Sequence, residues 1–95
     1  MSYTVIWNRR SLEALAALWV DRTSERAAIS DATALIDGLL QANPQEQGES
    51  REGNERIVFA PPLVVAFAID DSRQLVRITR VRHLRQHGPD RGGSR

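Results

Sequence analysis

The seven-residue apolar run LVVAFAI at positions 63–69 constrains the fold more than any other stretch of the chain. Pro61 and Pro62 precede it, and Asp70 and Asp71 follow it. A run this short does not fill a typical helix, whereas a strand buried on both faces reads as continuous apolar sequence. The spacing therefore predicts a central strand. Residues 56–60 predict a strand before it and residues 74–82 a strand after it, the latter joined through Asp70, Asp71, Ser72 and Arg73, which supply hairpin turn chemistry. Consecutive strands with such short connections form a meander. Near the start, YTVIW at 3–7 is β-branched and aromatic and predicts a first strand with Tyr3, Val5 and Trp7 on one face.

Between the first strand and the meander the period changes from two to that of a helix. Ser11 is a candidate N-cap, with Glu13 in the favourable first turn and Leu12, Leu15, Ala16 and Trp19 recurring at helical spacing to about Val20. A turn at 21–24 offers Thr23 or Ser24 as the cap of a second helix, whose expected buried stripe is Ala28, Ala32, Leu35, Ile36, Leu39 and Leu40. Asn43 and Pro44 end it, because the residue before proline is driven out of the α region. Residues 45–54 are polar, carry two glycines and read as an exposed loop. The expected architecture is α+β, in the order β-α-α-β-β-β. A helical hairpin covers one face of a largely antiparallel four-stranded sheet, since neither helix can bury its stripe alone. Residues 1–85 form one domain and residues 86–95, with three glycines and a proline, a flexible C-terminal tail.

Charge divides the chain unevenly. Residues 1–71 hold six arginines against eleven acids, and residues 72–95 hold seven arginines against Asp90 alone. Such a split points either to an anionic partner for the basic end or to internal pairing of the two halves. All thirteen basic residues are arginine, whose planar fork of donors suits phosphate and carboxylate. With no cysteine, disulfides and thiolate metal sites are excluded. No run approaches the ~20 apolar residues that span a bilayer, and residues 1–7 carry no basic region ahead of an apolar one. A cytoplasmic protein with no membrane partner is the expectation.

The chemistry-bearing residues gather at the last strand. Strict alternation puts Val76, Ile78, Arg80 and Arg82 on one face and Arg77, Thr79 and Val81 on the other. The meander is expected to bring the start of the strand at Arg56 and the end of the strand at Arg82 to one end of the sheet. Arg51, Arg56, Arg80, Arg82 and His83 would then lie within reach of one another, with Arg85 just beyond. Three readings follow. Arginines with His83 can bind a phosphodiester and move a proton, as a metal-free nuclease needs. The same residues can bind an acidic protein or nucleic acid without chemistry. Or Arg56, Arg80 and Arg82 pair with Glu49, Glu52, Glu55, Asp70 or Asp71 on a solvated face. There is no phosphate-cradling glycine loop and no nucleophile elbow. His83 and His87 stand in a basic segment whose only carboxylate is Asp90, so no metal and no cofactor are expected.

The order of elements and four segments carry a resemblance: YTVIW (3–7), GESREGNERIVF (48–59), PLVVAFAID (62–70) and LVRITRVRH (75–83). Over residues 3–85 the chain resembles the RelE/ParE superfamily of toxins from type II toxin–antitoxin modules. The resemblance implies either a ribosome-dependent mRNA endoribonuclease or a non-catalytic inhibitor of DNA gyrase, with a degenerate, non-toxic member as a further alternative. In the nucleases an arginine on an early meander strand, another on the last strand and a C-terminal His or Tyr do the work. Arg56, Arg80 or Arg82, and His83 match those positions, and Arg51 and Arg85 join them as binding residues for RNA, gyrase or antitoxin. The catalytic lysines of some members are missing, and the sole tyrosine is Tyr3. The resemblance also implies a cognate antitoxin, encoded by an adjacent gene, whose C-terminal segment masks the basic face.

Overall fold

The computed structural model describes residues 2–50 and 54–84. In chain order they form β1 (Thr4–Trp7), α1 (Arg9–Asp21), a 3₁₀ turn (Thr23–Glu25), α2 (Arg26–Ala42), a second 3₁₀ turn (Pro44–Glu46), β2 (Glu49–Ser50), β3 (Glu55–Ala60), β4 (Leu63–Asp70) and β5 (Leu75–His83). The strands make one sheet in the order β1-β5-β4-β3-β2. The expected α+β class and helical hairpin stand. The sheet has five strands rather than four, because Glu49 and Ser50 pair antiparallel with Ile57 and Arg56 inside the segment expected to be loop. It is also mixed, since β1 runs parallel to β5. The expected C-terminal tail lies outside the described residues.

Both helices cover the same face. The core joins Ala32, Ile36 and Leu40 of α2 to Val58, Ala60, Leu63, Val65, Phe67, Val76, Ile78 and Val81 of the sheet. On α2 the buried positions are Ile29, Ala32, Ile36 and Leu40, a stripe that advances by three or four residues. The expected stripe was centred about an eighth of a turn away. Ile29 was absent from it, and Leu35, which it included, is 53% exposed. The helix stops at Ala42, before Asn43 and Pro44, as expected. At the start of α1 the cap is Asn8, whose side chain accepts from the Ser11 amide at 2.8 Å. Ser11 was the expected cap. It sits instead one turn inside the helix, fully buried, and its hydroxyl donates to the Ile78 carbonyl at 3.2 Å.

That contact marks the one irregularity in the sheet. In the β4–β5 ladder Ala66 pairs with Arg80 while Phe67 pairs with Ile78, so Thr79 is an extra residue in β5. Such a bulge breaks the two-residue alternation. Val76, Ile78 and Val81 are all buried, although two residues separate the last pair rather than one. The N-terminus of α1 takes up the backbone groups around the bulge: Asn8 N–H and the Ser11 hydroxyl donate to the Ile78 carbonyl, and the Asn8 amide donates to the Thr79 carbonyl at 3.4 Å.

Gly48 sits where the chain enters β2, with φ of +70°. A Cβ built there collides with the Ile57 carbonyl oxygen and its carbon, both backbone atoms that cannot swing aside. The position combines a left-handed conformation with a close backbone approach, and glycine alone satisfies both. Gly48→Ala is expected to cost about 1–3 kcal/mol, read as a lower midpoint in urea with an unchanged slope. An unchanged midpoint would show that the β2–β3 contact adds nothing to the fold.

Candidate functional site

The helices leave the second face of the sheet bare, and β5 runs through it next to the β1 edge. After the bulge the alternation resumes in the opposite phase, so Arg77, Arg80 and Arg82 all lie on the open face and are exposed. The sequence reading put Arg80 and Arg82 with Val76 and Ile78, and Arg77 with Thr79 and Val81. The bulge reverses that assignment beyond Thr79 and gathers three arginines into one row.

Beside the row, the open face of β4 presents Val64, Ala66 and Ala68, and that of β3 presents Glu55, Ile57 and Phe59. The two alanines make a low floor over which side chains from β3 and β5 meet. Arg80 Nη2 donates to Glu55 Oε1 at 3.0 Å. The Thr79 hydroxyl lies 3.2 Å from Glu55 Oε2 and 3.3 Å from the Ala66 carbonyl. Ala66 is 4% exposed although it lies outside the core cluster, as expected for a floor covered by that pair. Further along, Phe59, Val64 and Arg82 are level with one another across three strands, with Phe59 52% exposed. Arg77 and Arg82 have no ion-pair partner among the described residues.

The other sequence-predicted residues are not part of this row. Arg56 lies on the helix-facing side, where Nε donates to the Gln47 carbonyl at 2.9 Å, Nη1 to Ser50 Oγ at 3.1 Å and Nη2 to the Gly48 carbonyl at 3.4 Å. It clamps the chain entering β2. Nor do Arg56 and His83 share an end of the sheet. Arg56 is level with Phe67 and Ile78, whereas His83 is level with Leu63 and Ala60. Each antiparallel step reverses the chain, so the first and third strands of a meander run the same way. The start of one therefore lies beside the start of the other, not beside its end. Arg51 and Arg85 lie outside the described residues.

His83 faces the helices. Its Nε2 is 2.7 Å from Glu25 Oε1, and its side chain is 11% exposed. A carboxylate oxygen only accepts, so Nε2 carries the proton and donates. Nδ1 is buried and has no partner among the described residues. The pair closes one wall of a cleft of about 540 Å³ between the α1–α2 connection and the Pro61–Pro62 turn, with Arg22 and Leu84 on its rim. Glu25 was missed in the sequence because 58 positions separate it from His83. The bulge had one faint signal, a threonine flanked on both sides by the pattern of an apolar residue and an arginine in RITRV. Glu55 was named only as one of five acids able to pair with arginines on a solvated face.

Two helices on one face of a mixed five-stranded sheet make a fold similar to that of chains in solved toxin–antitoxin complexes. A chain of the RelBE2 complex of Mycobacterium tuberculosis superposes with a TM-score of 0.70 at 21% identity, over 87% of this chain and 92% of that one. The chromosomal ParDE system of P. aeruginosa gives a TM-score of 0.70 at 18% identity, covering 87% and 97%. The archaeal RelE–RelB complex of Pyrococcus horikoshii OT3 gives 0.54 at 12%, covering 87% and 96%. The fold is that of the RelE/ParE structures. No protein-family model matches the sequence, and a search of curated proteins gives no match. No helix among the described residues is long and apolar enough to cross a membrane.

The His83–Glu25 contact makes a spectroscopic prediction. Long-range ¹H–¹⁵N correlation at neutral pH should show His83 protonated at Nε2, and Glu25→Ala should let the ring populate the Nδ1–H form. A wild-type ring already divided between both forms would refute the contact.

Proposed function

We propose that the chain is the toxin component of a type II toxin–antitoxin pair of the RelE/ParE superfamily, acting by gripping its target through the arginine row rather than by cutting RNA. A cognate antitoxin, encoded beside it, covers the same face. Support for the superfamily comes from the fold, whose solved examples include RelBE2 and ParDE at equal TM-score. One observation favours gripping: Arg77, Arg80 and Arg82 share the bare face, while Arg56 and His83 are committed to contacts on the helix side. A row of guanidinium groups on a sheet face offers bidentate donors to phosphate or carboxylate, and the carboxylate among them, Glu55, is tied to Arg80 and Thr79. DNA gyrase is the target this reading favours.

The endoribonuclease reading keeps one supporting observation, the buried Nδ1 of His83, which has no hydrogen-bond partner among the described residues. It requires a phosphodiester to reach the helix side of the sheet, and it requires His83→Ala to abolish message cleavage.

Expression without the neighbouring gene should arrest growth, and co-expression of that gene should restore it. The double reversal Arg77→Glu/Arg82→Glu should remove the arrest, while His83→Ala keeps it within about twofold of wild type if the protein grips. Matched translation and supercoiling readouts assign the target. An arrest abolished by His83→Ala with message cleavage lost would replace gripping with catalysis, and no arrest at all would make the chain a non-toxic member.

A further inference from the structure

We infer that Glu55 is a built-in competitor for the arginine row: by occupying Arg80 it sets how strongly the open face takes an anionic group of the target. The inference rests on the target-binding reading of that face. Of the three arginines in the row, Arg80 alone has a charged partner among the described residues, and that partner reaches it from β3 across the full width of β4. The alanines at 66 and 68 make the reach possible, since a larger residue at either position would stand in its path. The Glu55 carboxylate is held at both oxygens, Oε1 by Arg80 and Oε2 within reach of the Thr79 hydroxyl. The side chains of Arg80 and Glu55 are 51% and 31% exposed. Solvent, and an incoming anion, can therefore reach the pair.

An anion arriving at Arg80 meets a carboxylate already there. Thr79 keeps the second oxygen anchored when the guanidinium turns away, so the negative charge stays in the middle of the row after Arg80 is released. A partner with one anionic group gains little from such an exchange. A partner with several groups in a line, spaced to meet Arg77 and Arg82 as well, gains two unopposed contacts before it contends with Glu55. Glu55 thereby selects for extended polyanionic surfaces over isolated charges.

A short, fluorescently labelled single-stranded RNA serves as a polyanion probe of the purified full chain, titrated by anisotropy over a range of salt. Glu55→Gln keeps the shape and the Thr79 contact but removes the charge. It should bind the probe roughly threefold to tenfold tighter at low salt, with the log–log salt slope steeper by about 0.7, the value for one added contact to a single strand. Glu13→Gln is the matched control. It frees Arg9 by the same change of charge on the exposed side of α1, where the pair spans 3.4 Å, and it should leave binding unchanged. In an Arg80→Ala background the gain from Glu55→Gln should shrink to less than half, leaving only the part due to the bare carboxylate between Arg77 and Arg82. No gain in Glu55→Gln, an equal gain in Glu13→Gln, or a gain undiminished by Arg80→Ala overturns the inference. Failure of the target-binding reading has a different signature, growth arrest that persists in Arg77→Glu/Arg82→Glu.

Discussion

The inserted Thr79 in β5 is the constraint on which the rest of the structure depends. Four features follow from that single residue. Val81 enters the core instead of facing water, Arg80 and Arg82 leave the helix side, His83 turns toward Glu25, and the backbone around Ile78 and Thr79 offers carbonyls that the start of α1 occupies through Asn8 and Ser11. A regular β5 would drive two guanidinium groups into the contact with the helices. Burying an arginine without a partner costs several kcal/mol. The bulge, the buried serine and the position of α1 therefore form one arrangement, and a change to any of the three should be felt by the other two.

Much of the fold was legible because it rests on local chemistry. The apolar run at 63–69 could only be an interior strand, and Pro44 had to end α2. What was not legible depends on contacts distant in sequence. Beyond the repeat around Thr79, little in LVRITRVRH distinguishes nine regularly alternating residues from a strand with one residue to spare, because threonine fits either position. The choice is made by Ser11 and Asn8, about seventy residues earlier in the chain, which satisfy the carbonyls a bulge leaves open. Asn8 lost its role as the cap to Ser11 in the sequence reading for the same reason. The buried environment of Ser11 comes from β5, and a hydroxyl next to a helical pattern looks like a cap until that strand is present. The expected cluster of Arg56 with His83 failed for a geometric reason that the sequence did contain, the parity of strand direction in a meander.

The charge imbalance between the two parts of the chain offered an anionic partner or internal pairing, and the structure shows internal pairing at two places. Glu55 and Glu25, from the acidic part, hold Arg80 and His83, from the basic part. Arg56 is held differently, by carbonyl and hydroxyl oxygens that satisfy its donors and leave its charge in place. After these contacts Arg77 and Arg82 still carry their charges into solvent. Among the described residues, the basic segment thus divides into groups paired within the domain and two, Arg77 and Arg82, with no ion-pair partner.

That division bears on what the open face is for. Neighbouring positions on one side of a strand are about 7 Å apart. Three like charges at that spacing repel one another through a medium screened over about 8–10 Å. The isolated fold gains nothing from such a row on an interior strand, where β-branched residues pack better and repel less. Placing one carboxylate in its midst relieves the repulsion at Arg80 without filling the face, because the floor of Ala66 and Ala68 keeps the crossing low. A surface built only for stability would have spread its charges to the edges of the sheet or matched each one. This one concentrates them, spends a bulge to align them and, among the described residues, leaves two unmatched, which is the arrangement a partner carrying several negative groups would complete.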